Sequence, residues 1–166
     1  NVARFLNIHN TFGNLELFAT MSFIDTRYTD FRVFTSSGTA PNVQITESNL
    51  KGNRVENAPR YVHNLGLVYS KNNFSSTLQY RTSGGIFTDA NNTQNPSANG
   101  VTGWLEGYEV MDFSAEYKLL KDYNIKAGIN NLTNRMYATR RAGGYPGPGI
   151  LPGEGRTFFV SIGAKL

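Results

Sequence analysis

The chain has 166 residues, of which 17% are charged and 39% hydrophobic, with a formal net charge of +4 and no cysteine. One ordinary domain fits that length; disulfide scaffolds and thiolate metal sites are excluded, and so mild and scattered a charge makes no case for nucleic acid as a partner. No run of about 18 apolar residues occurs, which excludes a transmembrane helix but not a membrane barrel, whose strands alternate and average out as polar.

Glycine (17), phenylalanine (11) and tyrosine (9) are plentiful and mean hydropathy is −0.38, an all-β composition. Residues 4–10 form a short strand with Leu6 and Ile8 on one face, and Gly13 sits in a turn over 11–14. From Leu15 the alternation is clear: Leu15, Leu17, Ala19, Met21 and Phe23 share a face against Glu16, Phe18, Thr20, Ser22 and Ile24. Residues 29–58 read as a long polar loop, more than a compact soluble domain usually carries.

Tyr61, His63, Leu65, Leu67 and Tyr69 then share a face, Lys71-Asn72-Asn73 turns, and Phe74, Ser76, Leu78 and Tyr80 return. A second long loop covers 88–106. The next hairpin sets Met111, Phe113, Ala115, Tyr117 and Leu119 against Asp112, Ser114, Glu116 and Lys118, then turns at Lys121-Asp122 into Tyr123, Ile125, Ala127 and Ile129. After a third long loop, 133–155, the last eleven residues (RTFFVSIGAKL) alternate once more, a length that suits a tilted membrane-crossing strand.

The connections alternate strictly, short then long, as in outer-membrane barrels with short periplasmic turns and long extracellular loops. Aromatic residues gather near both ends of the strands, where interfacial girdles would lie. The chain is therefore read as an all-β transmembrane antiparallel barrel over residues 1–166, contributing seven strands. Seven strands leave open edges that cannot face lipid, so we expect these residues to be part of a larger barrel. Phe113, Ala115, Tyr117, Ile125, Ala127, Ile129, Val160 and Ile162 are expected to face lipid. Gln79, Arg81, Asp112, Glu116, Lys118 and Lys126 are expected to face the lumen, meeting water or a filling domain.

The run Gly128–Tyr137 (GINNLTNRMY) and the following residues to Leu166 resemble the C-terminal part of TonB-dependent outer-membrane transporters. Ser22–Phe31, Gly52–Tyr61 and Tyr108–Leu119 match further blocks of that family, and the Arg-Arg-Ala…Gly-Tyr-Pro-Gly-Pro-Gly loop is similar to the ferric-dicitrate branch. Leu166 stands where the family usually has a terminal Phe. The resemblance implies the last seven strands of a barrel of about 22. It also implies import of a ferric chelate across the bacterial outer membrane, energy delivered by the TonB complex through a motif at the N-terminus, and an N-terminal plug in the lumen. The partners implied are that plug and the rest of the barrel, outer-membrane lipid and lipopolysaccharide; no cofactor is implied.

Gly143–Gly149 lacks the Gly-Lys-Ser/Thr of a phosphate loop, and its prolines oppose a helix; it reads as a rigid extracellular loop. Arg140, Arg141 and Tyr145 on that loop are the candidate ligand contacts, two cations suited to carboxylates beside an aromatic face. The alternative for the arginines is contact with neighbouring loops or lipopolysaccharide phosphate. His9 and His63 are isolated, so no metal site is expected, and no nucleophile–base set suggests an enzyme. Two other readings remain open from the residues alone: a small autonomous barrel acting as adhesin or anchor, and a soluble β-sandwich binding module.

Overall fold

The computed structural model describes residues 2–120, 122–145 and 147–164. In chain order its strands are β1 (Val2–Asn10), β2 (Gly13–Phe23), β3 (Arg32–Ser37), β4 (Gln44–Asn49), β5 (Tyr61–Lys71), β6 (Phe74–Ser83), β7 (Ile86–Phe87), β8 (Trp104–Leu105), β9 (Tyr108–Leu120), β10 (Tyr123–Asn130), β11 (Ala138–Ala142), β12 (Gly149–Pro152) and β13 (Thr157–Ala164). Seven form one antiparallel sheet in the order β1-β2-β5-β6-β9-β10-β13, with β1 and β13 at its edges. These are the seven strands that the alternation predicts. Lys121 of the third short turn, and Lys165 and Leu166 of the expected terminal strand, lie outside the described residues.

The long connections differ from the polar loops expected from sequence. Each contains a two-stranded hairpin, β3 with β4, β7 with β8 and β11 with β12. The sequences RVFTSS and QITESN bury nothing along their length except half of Val33. Backbone pairing and an exposed Arg32–Glu47 ion pair (2.8 Å) join its strands, so a search for an apolar face passes over it.

Register shows how completely the main sheet separates two faces. One cross-strand row runs Leu6, Leu17, Leu67, Leu78, Phe113, Ile129 and Phe158, one residue from each strand. On the other face, one residue along, lie Glu16, Val68, Thr77, Ser114, Gly128 and Phe159. In this row Leu17 is 39% exposed, Leu67 37%, Phe113 38% and Phe158 71%, with Leu78 and Ile129 half-buried. Among the described residues the buried hydrophobic side chains are Ala19, Leu50, Leu105 and Val110. A soluble sandwich of this size would hide rows such as these against a second sheet. The sheet instead leaves much of its apolar face exposed, a pattern that the wall of a membrane barrel shares.

The polar face is not wholly polar. Phe18 lies across Gly66 on the neighbouring strand, and Phe159 lies across Gly128, so that an added Cβ would come within 2.0 Å and 2.5 Å of the respective rings. Each glycine leaves room for the ring opposite it in register, an arrangement that covers bare backbone with aromatic surface.

Candidate functional site

All three long connections emerge at the same end of the sheet, because each joins strands that the short turns join at the other end. The first is closed at its base by backbone pairs: Ile24 N donates to Arg60 O (2.8 Å), Tyr28 N to Asn53 O (2.9 Å) and Gly52 N to Tyr28 O (2.8 Å). The Tyr28 hydroxyl donates to Glu56. That bond raises the Tyr28 phenol above its ordinary pKa, helped by burial and the Glu56 charge.

The second connection links the other two. Asn92, in the left-handed region (φ 57°), clamps the first connection: its Oδ1 accepts from Arg54 N (2.7 Å) and its Nδ2 donates to Arg54 O (2.8 Å). Asn53 Nδ2 adds a bond to Ala90 O (2.9 Å). From the other side, Arg141 donates to Gly100 O (2.9 Å) and Trp104 O (3.2 Å). Asp89 shapes the turn between these ties, accepting from Asn91 N and Thr93 Oγ1.

The third connection has a hub that the sequence reading quoted only as part of a motif. Asn131 is 2% exposed with φ 50°. Its Oδ1 accepts from Arg135 N (2.7 Å), and its Nδ2 donates to Arg135 O (2.8 Å) and Glu154 O (3.1 Å), so one side chain joins both stems of the loop. The sequence signal for it is the Asn-Asn-Leu-Thr-Asn run, since asparagine tolerates left-handed φ and bonds nearby backbone. Asn131 N in turn donates to Asp112 Oδ1 (2.9 Å), while Asp112 Oδ2 pairs with Arg81 at 2.7 Å.

The sequence-derived site residues fall into two groups. On the polar face, Gln79 stands opposite Asp112 in register and donates to Asn64 Oδ1 (2.8 Å). Arg81 and Asp112 form the ion pair just described. Glu116 lies opposite Lys126 but accepts its hydrogen bond from Asn124 Nδ2 (3.0 Å). Lys118 is exposed near the short-turn end.

The loop group is less convergent than the sequence suggested. Arg140 and Arg141 are consecutive in β11, and strand alternation sends them to opposite faces of the hairpin. Arg141 turns onto the second connection and is half-buried, whereas Arg140 is exposed. Tyr145 is 100% exposed, and Pro146 lies outside the described residues.

At the loop end of β5, β6 and β9 lies an open cavity of about 470 Å³, whose wall includes Arg54, Arg60 and Arg135. The Arg54 guanidinium stands over the Phe87 ring at 6.0 Å, and burial, then the Arg60 charge, hold its pKa below the ordinary value. No group of three or more histidine, aspartate or glutamate residues positioned to hold a metal occurs among the described residues.

The family model described as TonB dependent receptor-like, beta-barrel, matches residues 6–132, more than half of the chain. The chain belongs to the TonB-dependent receptor β-barrel family. Solved structures of TonB-dependent receptors overlay on it well. The ferric citrate transporter FecA in its unliganded form is 21% identical with a TM-score of 0.67, over 90% of this chain and 20% of FecA. The siderophore receptor PiuA from Acinetobacter baumannii is 21% identical with a TM-score of 0.65, over 94% of this chain and 20% of PiuA. The ferric-catecholate import receptor Fiu from E. coli K12 is 17% identical with a TM-score of 0.56. At these identities the overlays establish the fold, and the chain spans about a fifth of the length of FecA and PiuA. Members of the TonB-dependent receptor family are outer-membrane β-barrel transporters and not enzymes.

Proposed function

We propose that these residues form part of the wall and three braced extracellular loops of an outer-membrane receptor that imports a ferric chelate, with energy supplied through TonB. The observation that carries this reading is the seven-strand apolar row backed by a polar face, with every long connection at one end. A wall built this way separates lipid from a polar lumen. On this reading Gln79, Arg81, Asp112, Glu116, Lys118 and Lys126 line the lumen and meet the plug or water, while β1 and β13 pair with other strands of the barrel. Lipid and lipopolysaccharide surround the outer face.

For the solute, the reading is an anionic chelate such as ferric citrate. Arg140 and Tyr145 are the solvent-facing contacts, and Arg141 acts by holding the third loop against the second. Arginine suits multidentate recognition of carboxylates. The test is equilibrium binding of ferric citrate to the complete receptor and to Arg140→Ala and Arg141→Ala variants at matched folding and salt. Losing a charged hydrogen bond costs about 1.5–3 kcal/mol, or roughly ten- to hundredfold in affinity. Unchanged affinity in both variants would remove these arginines from the binding site; no binding to wild type would point to a different solute.

A further inference from the structure

The β3–β4 hairpin carries an apolar surface that neither strand reveals alone. Register puts Phe34 opposite Glu47 and Ile45 opposite Ser36, so Phe34 and Ile45 are diagonal neighbours on one face. They are 63% and 73% exposed. Arg32 shares that face and reaches Glu47 at 2.8 Å, closing one end of it. The opposite face presents Thr35, Ser37, Gln44, Thr46 and Ser48, with Val33 as its apolar residue. Water suits the second face and suits the first poorly.

Among the described residues, every hydrogen bond and ion pair of residues 32–49 is made within residues 30–51. The other two loop hairpins are better held. Phe87 of β7 meets Trp104 of β8 edge to face, with ring centroids 4.8 Å apart, and Arg141 of β11 bonds to the second connection. A two-stranded hairpin with no packing partner is marginal in water. The six-residue strands β3 and β4 therefore call for cover.

We infer that the Phe34–Ile45 face is covered by the extracellular connection leading into β1, a segment of the receptor outside these residues. The inference rests on the reading that β1 pairs with a further strand of the barrel; it does not depend on which solute is imported. The chain spans about a fifth of the length of FecA and PiuA, so most of such a receptor lies elsewhere in sequence. Val2 stands opposite Thr20 and β2 ends at Phe23, which places the start of β1 at the loop end. The connection from an antiparallel neighbour of β1 would emerge there, one strand from the base of the first long connection at Ile24 and Arg60. On the other flank the second connection is already committed: it holds Asn53 and Arg54 at that base and makes no bond to β3 or β4. Size points the same way. Phe34 and Ile45 offer on the order of 300 Å², against about 800 Å² per partner in a stable complex. A second copy or a separate protein would gain too little there to offset its lost freedom, whereas a segment tethered to the same barrel loses far less.

The test uses the complete receptor in outer membranes, with photoreactive p-benzoylphenylalanine in place of Phe34, Ile45, Thr35 or Gln44, one at a time. Irradiation and peptide mass spectrometry should join positions 34 and 45 to the connection leading into β1, within one polypeptide. Their yield should exceed that from positions 35 and 44 at least fivefold. Crosslinks on a second copy, on another protein or on the second or third connection would overturn the inference, as would equal yields from the two faces or none from either. A Phe34→Ser, Ile45→Ser variant adds an independent readout. Amide exchange in the connection into β1 should rise at least tenfold, while the β2–β5 ladder keeps its protection. Unchanged exchange in a variant that keeps heat-modifiable migration would overturn the inference; the crosslinks are read without that variant, so its misfolding cannot hide the answer. A wild-type receptor without heat-modifiable migration would overturn the inference together with the barrel reading beneath it.

Discussion

Replacing Asn131 should open the third loop without unfolding the wall. Its side chain makes three hydrogen bonds, to Arg135 N, Arg135 O and Glu154 O. At about 1 kcal/mol net for each bond, Asn131→Ala forfeits about 3 kcal/mol. Alanine at φ 50° adds about 1 kcal/mol of left-handed strain. The sum, about 4 kcal/mol, corresponds to roughly three orders of magnitude in local opening. The assay is amide hydrogen exchange on the complete receptor in detergent. Peptides covering 131–156 should lose protection by about that factor, and peptides covering 108–119 should not change, since the ladder from β9 to β6 is untouched. Asn131→Gly loses the same bonds without the strain and should be milder by about 1 kcal/mol. Unchanged exchange over 131–156, or equal loss in the wall, would refute the assignment of Asn131 as a local hub.

Three further expectations follow from the same geometry. Phe113→Lys, in the middle of the apolar row, should destabilise the receptor in lipid vesicles by about 2–4 kcal/mol, and Ser114→Lys on the opposite face by much less; equal effects in urea unfolding would reverse the faces. Gly66→Ala places a methyl against the Phe18 ring and should cost about 1–3 kcal/mol, with a large part of that cost vanishing in a Phe18→Ala background; simple additivity would contradict the packing. The Tyr28–Glu56 bond is intact only while the phenol is protonated. Because its folded pKa is raised, its contribution is full below the ordinary tyrosine pKa and is lost as pH rises through the folded value. Glu56→Gln should bring the Tyr28 phenolate titration, read as an absorbance difference against Tyr28→Phe, to lower pH; an unmoved titration would dismiss the bond.

The wall was legible in the sequence because one apolar and one polar face impose a period of two on every strand. Leu17, Leu67, Leu78 and Phe113 could be assigned to one face without knowing their partners. The loops carried no such constraint. RVFTSS and QITESN form strands through backbone pairing and one exposed ion pair, without a buried apolar face, and two-residue strands such as Ile86–Phe87 fall below any periodicity. Arg141 was nominated for its charge, but its acceptors are backbone carbonyls of Gly100 and Trp104, which any residue type supplies and no motif marks. Phe18 and Phe159 broke the expected polarity of their face because the deciding residues, Gly66 and Gly128, lie on neighbouring strands. The arginines of the cavity come from two loops, Arg54 and Arg60 from the first and Arg135 from the third, so their proximity is a property of the fold and not of any local pattern.

The double anchoring of the second connection bears on where this chain can change length. It is fastened to the first loop by the Ala90 carbonyl and the Asn92 side chain, and to the third by the carbonyls of Gly100 and Trp104. An extra residue between those points would have to be absorbed by breaking one fastening, and would then free two loops at once. The tip of the β3–β4 hairpin, around residues 38–43, is exposed throughout and ties down no other loop. Insertions, tags and natural length drift should therefore collect at that tip, and the stretch from Asp89 to Trp104 should keep its length, and Asn92, even where its other side chains vary.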